Sequence, residues 1–129
     1  MRALLDTHVF LWFNADDSRL SQRATALIRS RDNEMVFSAV SAWEIAIKYA
    51  RGRLPEVPQP PESYIPARLS HYGFRTLAVE ISHALQAGAL SRLHADPFDR
   101  LLIAQAQVER LPILTSDPNI RQYEVEVIW

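Results

Sequence analysis

Four carboxylates in this chain stand where a cation could be held. Asp6 directly follows the apolar run Ala3-Leu4-Leu5, and Asp117 follows Leu111-Pro112-Ile113-Leu114-Thr115 with Ser116 between. Glu44 comes shortly after Ser41, and Asp99 shortly after Asp96, each in what reads as the first turn of a helix. If the apolar runs are parallel strands, strand ends and helix starts share one rim, where ligands bind in this architecture. Acids crowded there repel: at ~5 Å and an effective dielectric of ~20, each pair costs on the order of 3 kcal/mol. Either protons or a cation must relieve that repulsion. Oxygen donors in a chain without Cys favour Mg2+ or Mn2+ over Zn2+. A hard dication on such a rim points to phosphoryl chemistry, because it activates water, orients a phosphodiester and stabilises charge on the leaving oxygen. No side-chain nucleophile is then required.

The same residues also suit helix capping, and the sequence leaves both readings open. Asp96 is a good N-cap, Pro97 fits the first helical position, and Asp99 completes a capping arrangement. Ser41 with Glu44 spells a capping box. Phe98, Leu101, Leu102 and Ala106 recur at helical spacing and predict one buried face on the Asp96 helix, which ends near Arg110.

Positioning these groups takes alternating strands and helices. Strands are predicted at residues 2–5, 35–37, 74–79, 111–115 and 125–128, the last at an edge. Helices are predicted from Val9, from a Ser21 cap to about Arg31, from Ser41 to a stop at Gly52, from Glu62 to Gly73, and from Ile81 to Leu90. The Pro-rich stretch 54–61 reads as a stiff connection. The pattern predicts one three-layer α/β/α domain over residues 1–129 with a mainly parallel sheet.

Composition excludes several classes. Hydrophobic residues make up 48% and charged residues 22% of 129, which suits a globular chain. A net charge of −1 makes the whole molecule no electrostatic trap for nucleic acid. The absence of Cys removes disulfides, thiolate metal sites and a Cys nucleophile. Three glycines cannot build a Gly-rich phosphate loop. Asp6 and His8 interrupt the apolar N-terminal run, so neither a signal peptide nor a membrane span is expected, and a cytoplasmic location is. Lys48 is the sole lysine among the 14 basic residues.

Four segments carry a family resemblance. Leu4-Leu5-Asp6-Thr7-His8, Ser41-Ala42-Trp43-Glu44-Ile45, the run from Asp96-Pro97-Phe98-Asp99 through Ala106, and Thr115-Ser116-Asp117 resemble PIN-domain nucleases, in order and across nearly the whole chain. More narrowly they resemble the VapC-type toxins of toxin–antitoxin pairs. The resemblance implies an acidic quartet of Asp6, Glu44, Asp99 and Asp117. Asp6 and Asp99 would be the main Mg2+ ligands, Mn2+ substituting, with Asp117 and Glu44 assisting. Thr115 or Ser116 would help orient the attacking water, and Asp96 would stand beside the quartet. The resemblance further implies endoribonuclease activity, a homodimer and a cognate antitoxin, with a larger complex between them.

Residues around the quartet have competing roles. Arg51, Arg53, Arg92 and Arg100 are candidate phosphate contacts, though each alone is as well explained by the solvated surface or by ion pairs. Trp12 and Trp43 read as core or dimer contacts, while His8 and His94 read as flanking residues rather than proton carriers. An inactive PIN-like binding module is the alternative function, and all four acids are present against it. A phospho-receiver would need an acidic neighbour for Asp6, and an Asp-nucleophile phosphatase would want Asp-x-Asp where Thr7-His8 follows.

Overall fold

The computed structural model describes residues 1–129. The strands are β1 (Arg2–Leu5), β2 (Glu34–Ser38), β3 (Arg75–Leu77), β4 (Ile113–Leu114) and β5 (Val127–Ile128). All neighbouring pairs are parallel, in the order β3-β2-β1-β4-β5. The central strand is β1, and its register pairs Leu4 with Val36 on one side and Ile113 on the other.

Seven helices surround the sheet: α1 (Thr7–Asn14), α2 (Gln22–Arg29), α3 (Ala39–Ala50), α4 (Pro61–Tyr72), α5 (Ile81–Ala89), α6 (Pro97–Glu109) and α7 (Pro118–Arg121). Alternation along β1 sorts them into layers. Ala3 and Leu5 face one core with Phe10, Ala24, Phe37, Ile45 and Ile65, which come from β2 and from α1 to α4. Leu4 faces the other core with Val36, Leu102, Ile103, Ala106 and Ile113, dominated by α6. The result is the expected three-layer α/β/α arrangement, with a sheet that is entirely parallel. No helix is long and apolar enough to cross a membrane.

Helix boundaries follow from local chemistry. Ser21 caps α2 by accepting from Ala24 N–H at 3.0 Å, and Gly73 ends α4 in the left-handed region at φ +67°. One expectation fails. Helix α3 starts at Ala39 rather than after Ser41, because Ser38 Oγ accepts from Val40 N–H at 3.0 Å and is the true cap. Ser41 is a buried helical residue whose Oγ accepts from Thr7 Oγ1 at 2.8 Å. Glu44 therefore lies beyond the first turn and forms no capping box.

The predicted burial of α6 also needs adjustment. Leu102 to Ala106 are all buried, whereas Phe98 and Leu101 are half-buried. The helix is wedged between the sheet and its neighbours α3 and α5, so its middle is enclosed on more than one side.

Helix α6 ends on Arg110 at φ 56°, ψ 47°, a left-handed position with a Cβ. That conformation costs an L-residue roughly 1–2 kcal/mol. Replacing Arg110 with Gly is expected to raise unfolding stability by about 0.5–1 kcal/mol after the entropic cost of glycine. Urea melts at constant slope check it; an unchanged or lower midpoint contradicts it.

Candidate active site

Adjacent strands bring distant acids together. Because β1 and β4 are hydrogen-bonded neighbours with Leu5 opposite Leu114, the residues just beyond them meet at the same sheet edge. Thr115 Oγ1 donates to Asp6 Oδ2 at 2.6 Å and accepts from Asp117 N–H at 3.0 Å. Asp6 is also the N-cap of α1 through a 3.4 Å bond from His8 N–H, and Asp117 is the N-cap of α7 through a 2.9 Å bond from Asn119 N–H. Capping and clustering are thus compatible at both positions.

Asp99 arrives from the other core layer. Asp96 fixes the start of α6 by accepting from Phe98 N–H at 2.9 Å and Asp99 N–H at 3.2 Å, which sets the Asp99 side chain in the first turn. Asp99 Oδ2 lies 2.8 Å from His94 Nε2. Ligand atoms of His94, Asp99 and Asp117 all lie within 4.8 Å of one another.

The electrostatics match the crowding. Burial pushes the Asp99 carboxyl up to about 6; the His94 hydrogen bond opposes the rise, and the charges of Asp96, Asp6 and Glu44 add to it. Burial likewise pushes the Asp6 carboxyl up, against the hydrogen bond from Thr115, and Asp117 adds to the rise. Glu44 is enclosed, its side chain only 3% exposed, and its Oε2 lies 2.6 Å from Lys48 Nζ. The structure thus gathers His94, Asp99 and Asp117 within ligand distance, ties Asp6 to the same edge through Thr115, and leaves Glu44 outside that cluster, its charge felt at Asp99.

The donor chemistry suits a hard dication: carboxylate oxygens dominate, the His94 imidazole joins them, and no thiolate is available. Some neighbours differ from expectation. His94 lies inside the cluster rather than beside it. A His five residues ahead of Asp99, across a Pro-capped helix start, was the available signal. His8 is half exposed, with Nδ1 4.0 Å from Asp6 Oδ1. Ser116 is exposed, and the hydroxyl joined to Asp6 is that of Thr115.

Arg100 is not free for phosphate. Its Nη1 donates to Ser91 O at 2.8 Å, and its Nη2 donates to Ala87 O and Leu90 O at 3.0 Å each. Arg51, Arg53 and Arg92 are exposed. Trp43, expected as a core or dimer contact, is 60% exposed and so outside the core, and it meets the edge of Phe98, ring centres 5.1 Å apart. Trp12 is half-buried against Trp129, with ring centres 6.2 Å apart.

An all-parallel sheet with acids gathered beyond its central strands matches a known class. Residues 3–126 match the family model of the PIN domain, and this chain belongs to that family. Ribonuclease VapC22 of Mycobacterium tuberculosis is 33% identical over 121 residues, covering 93% of this chain and 90% of that protein. Ribonuclease VapC16 of the same organism is 43% identical over 58 residues, 45% of this chain and 40% of that protein. Among solved structures, VapBC2 from Rickettsia felis bound to a promoter DNA fragment aligns at TM-score 0.74 and 14% identity, covering 99% of this chain and 98% of that one. A toxin–antitoxin complex from Klebsiella pneumoniae aligns at TM-score 0.65 and 17% identity, with 98% and 96% covered.

Proposed function

We propose that this protein is a divalent-cation-dependent endoribonuclease, the toxin of a toxin–antitoxin pair. One observation carries the reading: Asp99 from α6 and Asp117 beyond β4 bring ligand atoms within 4.8 Å of one another and of His94, and burial raises the Asp99 carboxyl to about 6. Kinship with ribonucleases VapC16 and VapC22 supports RNA as the substrate, and the fold shared with VapBC and toxin–antitoxin complexes supports an antitoxin partner.

In this reading Asp6, Asp99 and Asp117 would hold Mg2+, with Mn2+ able to substitute, and Glu44 adds its charge at Asp99. The bound cation supplies charge to a phosphodiester and makes water a better nucleophile. The protein's own groups set the geometry. Thr115 fixes Asp6 and the backbone of Asp117 together. His94 holds Asp99, and Asp96 aims it by capping α6. The protein acts in the cytoplasm as a homodimer, and antitoxin assembles it into a larger, silenced complex.

The direct test is expression with and without the product of the neighbouring reading frame, followed by cleavage of cellular RNA with purified toxin. Growth arrest without the partner is expected. Chelation with EDTA is expected to abolish cleavage, and Mg2+ or Mn2+ in excess to restore it. Cleavage that survives exhaustive chelation refutes the metal assignment. Absence of RNA cleavage under every metal supports an inactive binding module instead.

A further inference from the structure

Lys48 is one helical turn beyond Glu44 on α3, and its ammonium reaches the buried carboxylate at 2.6 Å. Ordinary surface pairs at this spacing contribute little, because water competes for both charges. Here Glu44 is enclosed, the lysine stem is two-thirds covered, and Glu44 in turn acts on Asp99. An ammonium is a compact point charge on a flexible stem, so it can neutralise one carboxylate without the planar fork of arginine. The lone lysine of a chain otherwise furnished with arginine occupies this place.

We infer that Lys48 is a resident counter-ion that withdraws Glu44 from cation binding, so that the pocket holds one divalent cation and not two. The inference rests on the proposed metal-dependent function. With Glu44 enclosed and paired to Lys48, three carboxylates remain to hold a cation, those of Asp6, Asp99 and Asp117, a donor set suited to one dication. A second dication would face the Lys48 ammonium and find Glu44 already paired. Lys48 is thus a positioning residue, holding Glu44 as a fixed source of field at Asp99.

The test counts ions. Mn2+ is titrated into the intact chain by calorimetry, and bound Mn2+ is counted by electron paramagnetic resonance. One Mn2+ per chain is expected for the natural protein. Lys48→Met removes the charge but keeps the stem; with Glu44 unpaired it is expected to bind two Mn2+ per chain, the first on the order of tenfold or more tightly, because a nearby positive charge is gone. Lys48→Arg is expected to keep the natural count and affinity. The double variant Glu44→Gln with Lys48→Met removes both charges and is expected to return to one ion at near-natural affinity. Two Mn2+ per chain in the natural protein overturns the inference, whether or not the variants fold. So does a folded Lys48→Met variant with unchanged affinity and count. No Mn2+ binding to the natural protein overturns the proposed function itself, which keeps the two failures apart.

Discussion

Asp99→Asn is expected to cut RNA cleavage at least ~100-fold, because a group holding the cation is lost, and yet to stabilise the metal-free protein above pH 6. The two effects share one cause. Burial, reinforced by Asp96, Asp6 and Glu44, raises the Asp99 carboxyl from its ordinary 3.8 to about 6. The folded chain then binds that proton more tightly than the unfolded chain. Between about pH 4 and pH 6 the folded state holds more protons, so stability falls as pH rises through this window. The full shift corresponds to roughly 3 kcal/mol, an upper bound for a partly solvated group. Asn is neutral throughout and keeps an oxygen for the bond to His94. In EDTA at pH 8 the variant is therefore expected to exceed the natural protein by about 1–3 kcal/mol, with the gap closing near pH 4. Mg2+ should stabilise the natural protein at pH 8 and leave the variant nearly unmoved. Urea melts at the two pH values, with and without Mg2+, measure all of this. A variant less stable than the natural protein at pH 8, or full cleavage by Asp99→Asn, contradicts the assignment.

The fold was largely legible because strand, turn and cap chemistry agreed locally. Ser21, Asp96 and Gly73 act in the structure as their types predict, each through bonds made within its own helix end. Ser41 misled because Ser38 offers the same hydroxyl one turn earlier, and Thr7, far away in sequence, supplies what decides between them. The pocket followed from topology: in a parallel sheet, residues after neighbouring strands must lie side by side. What sequence could not reveal was commitment. Lys48 reads only as a mid-helix residue until Glu44 is seen to be enclosed, and Arg100 reads as a phosphate contact, a solvated cation or an ion-pair partner until backbone carbonyls are seen converging on it. Of the two roles read for Trp43, core or dimer contact, the first fails because α3 turns that position outward and leaves it beside Phe98.

Arg100→Met is expected to destabilise the protein by about 2–4 kcal/mol and to loosen the segment that carries His94 and Asp96. Leu90 C=O and Ser91 C=O, just beyond α5, and Ala87 C=O in its last turn all accept from this one guanidinium. Tyr123 closes the same knot: its hydroxyl donates to Ser91 O at 2.9 Å and accepts from His94 N–H at 2.9 Å. Met fills similar space but donates nothing, so carbonyls oriented toward a cation lose their partner. Lysine cannot replace the fork, because a single ammonium cannot face α5 and the following loop at once, so Arg100→Lys should recover less than half of the loss. The damage should be local first. Amide hydrogen exchange in residues 90–96 is expected to accelerate well beyond the change in α2, since the loop opens without unfolding the sheet. Cleavage should fall with it, because His94 and Asp96 both act on Asp99 from that loop. If exchange in the loop stays at its natural rate while phosphate binding weakens, then Arg100 is a substrate contact after all, and its bonds to the carbonyls are incidental.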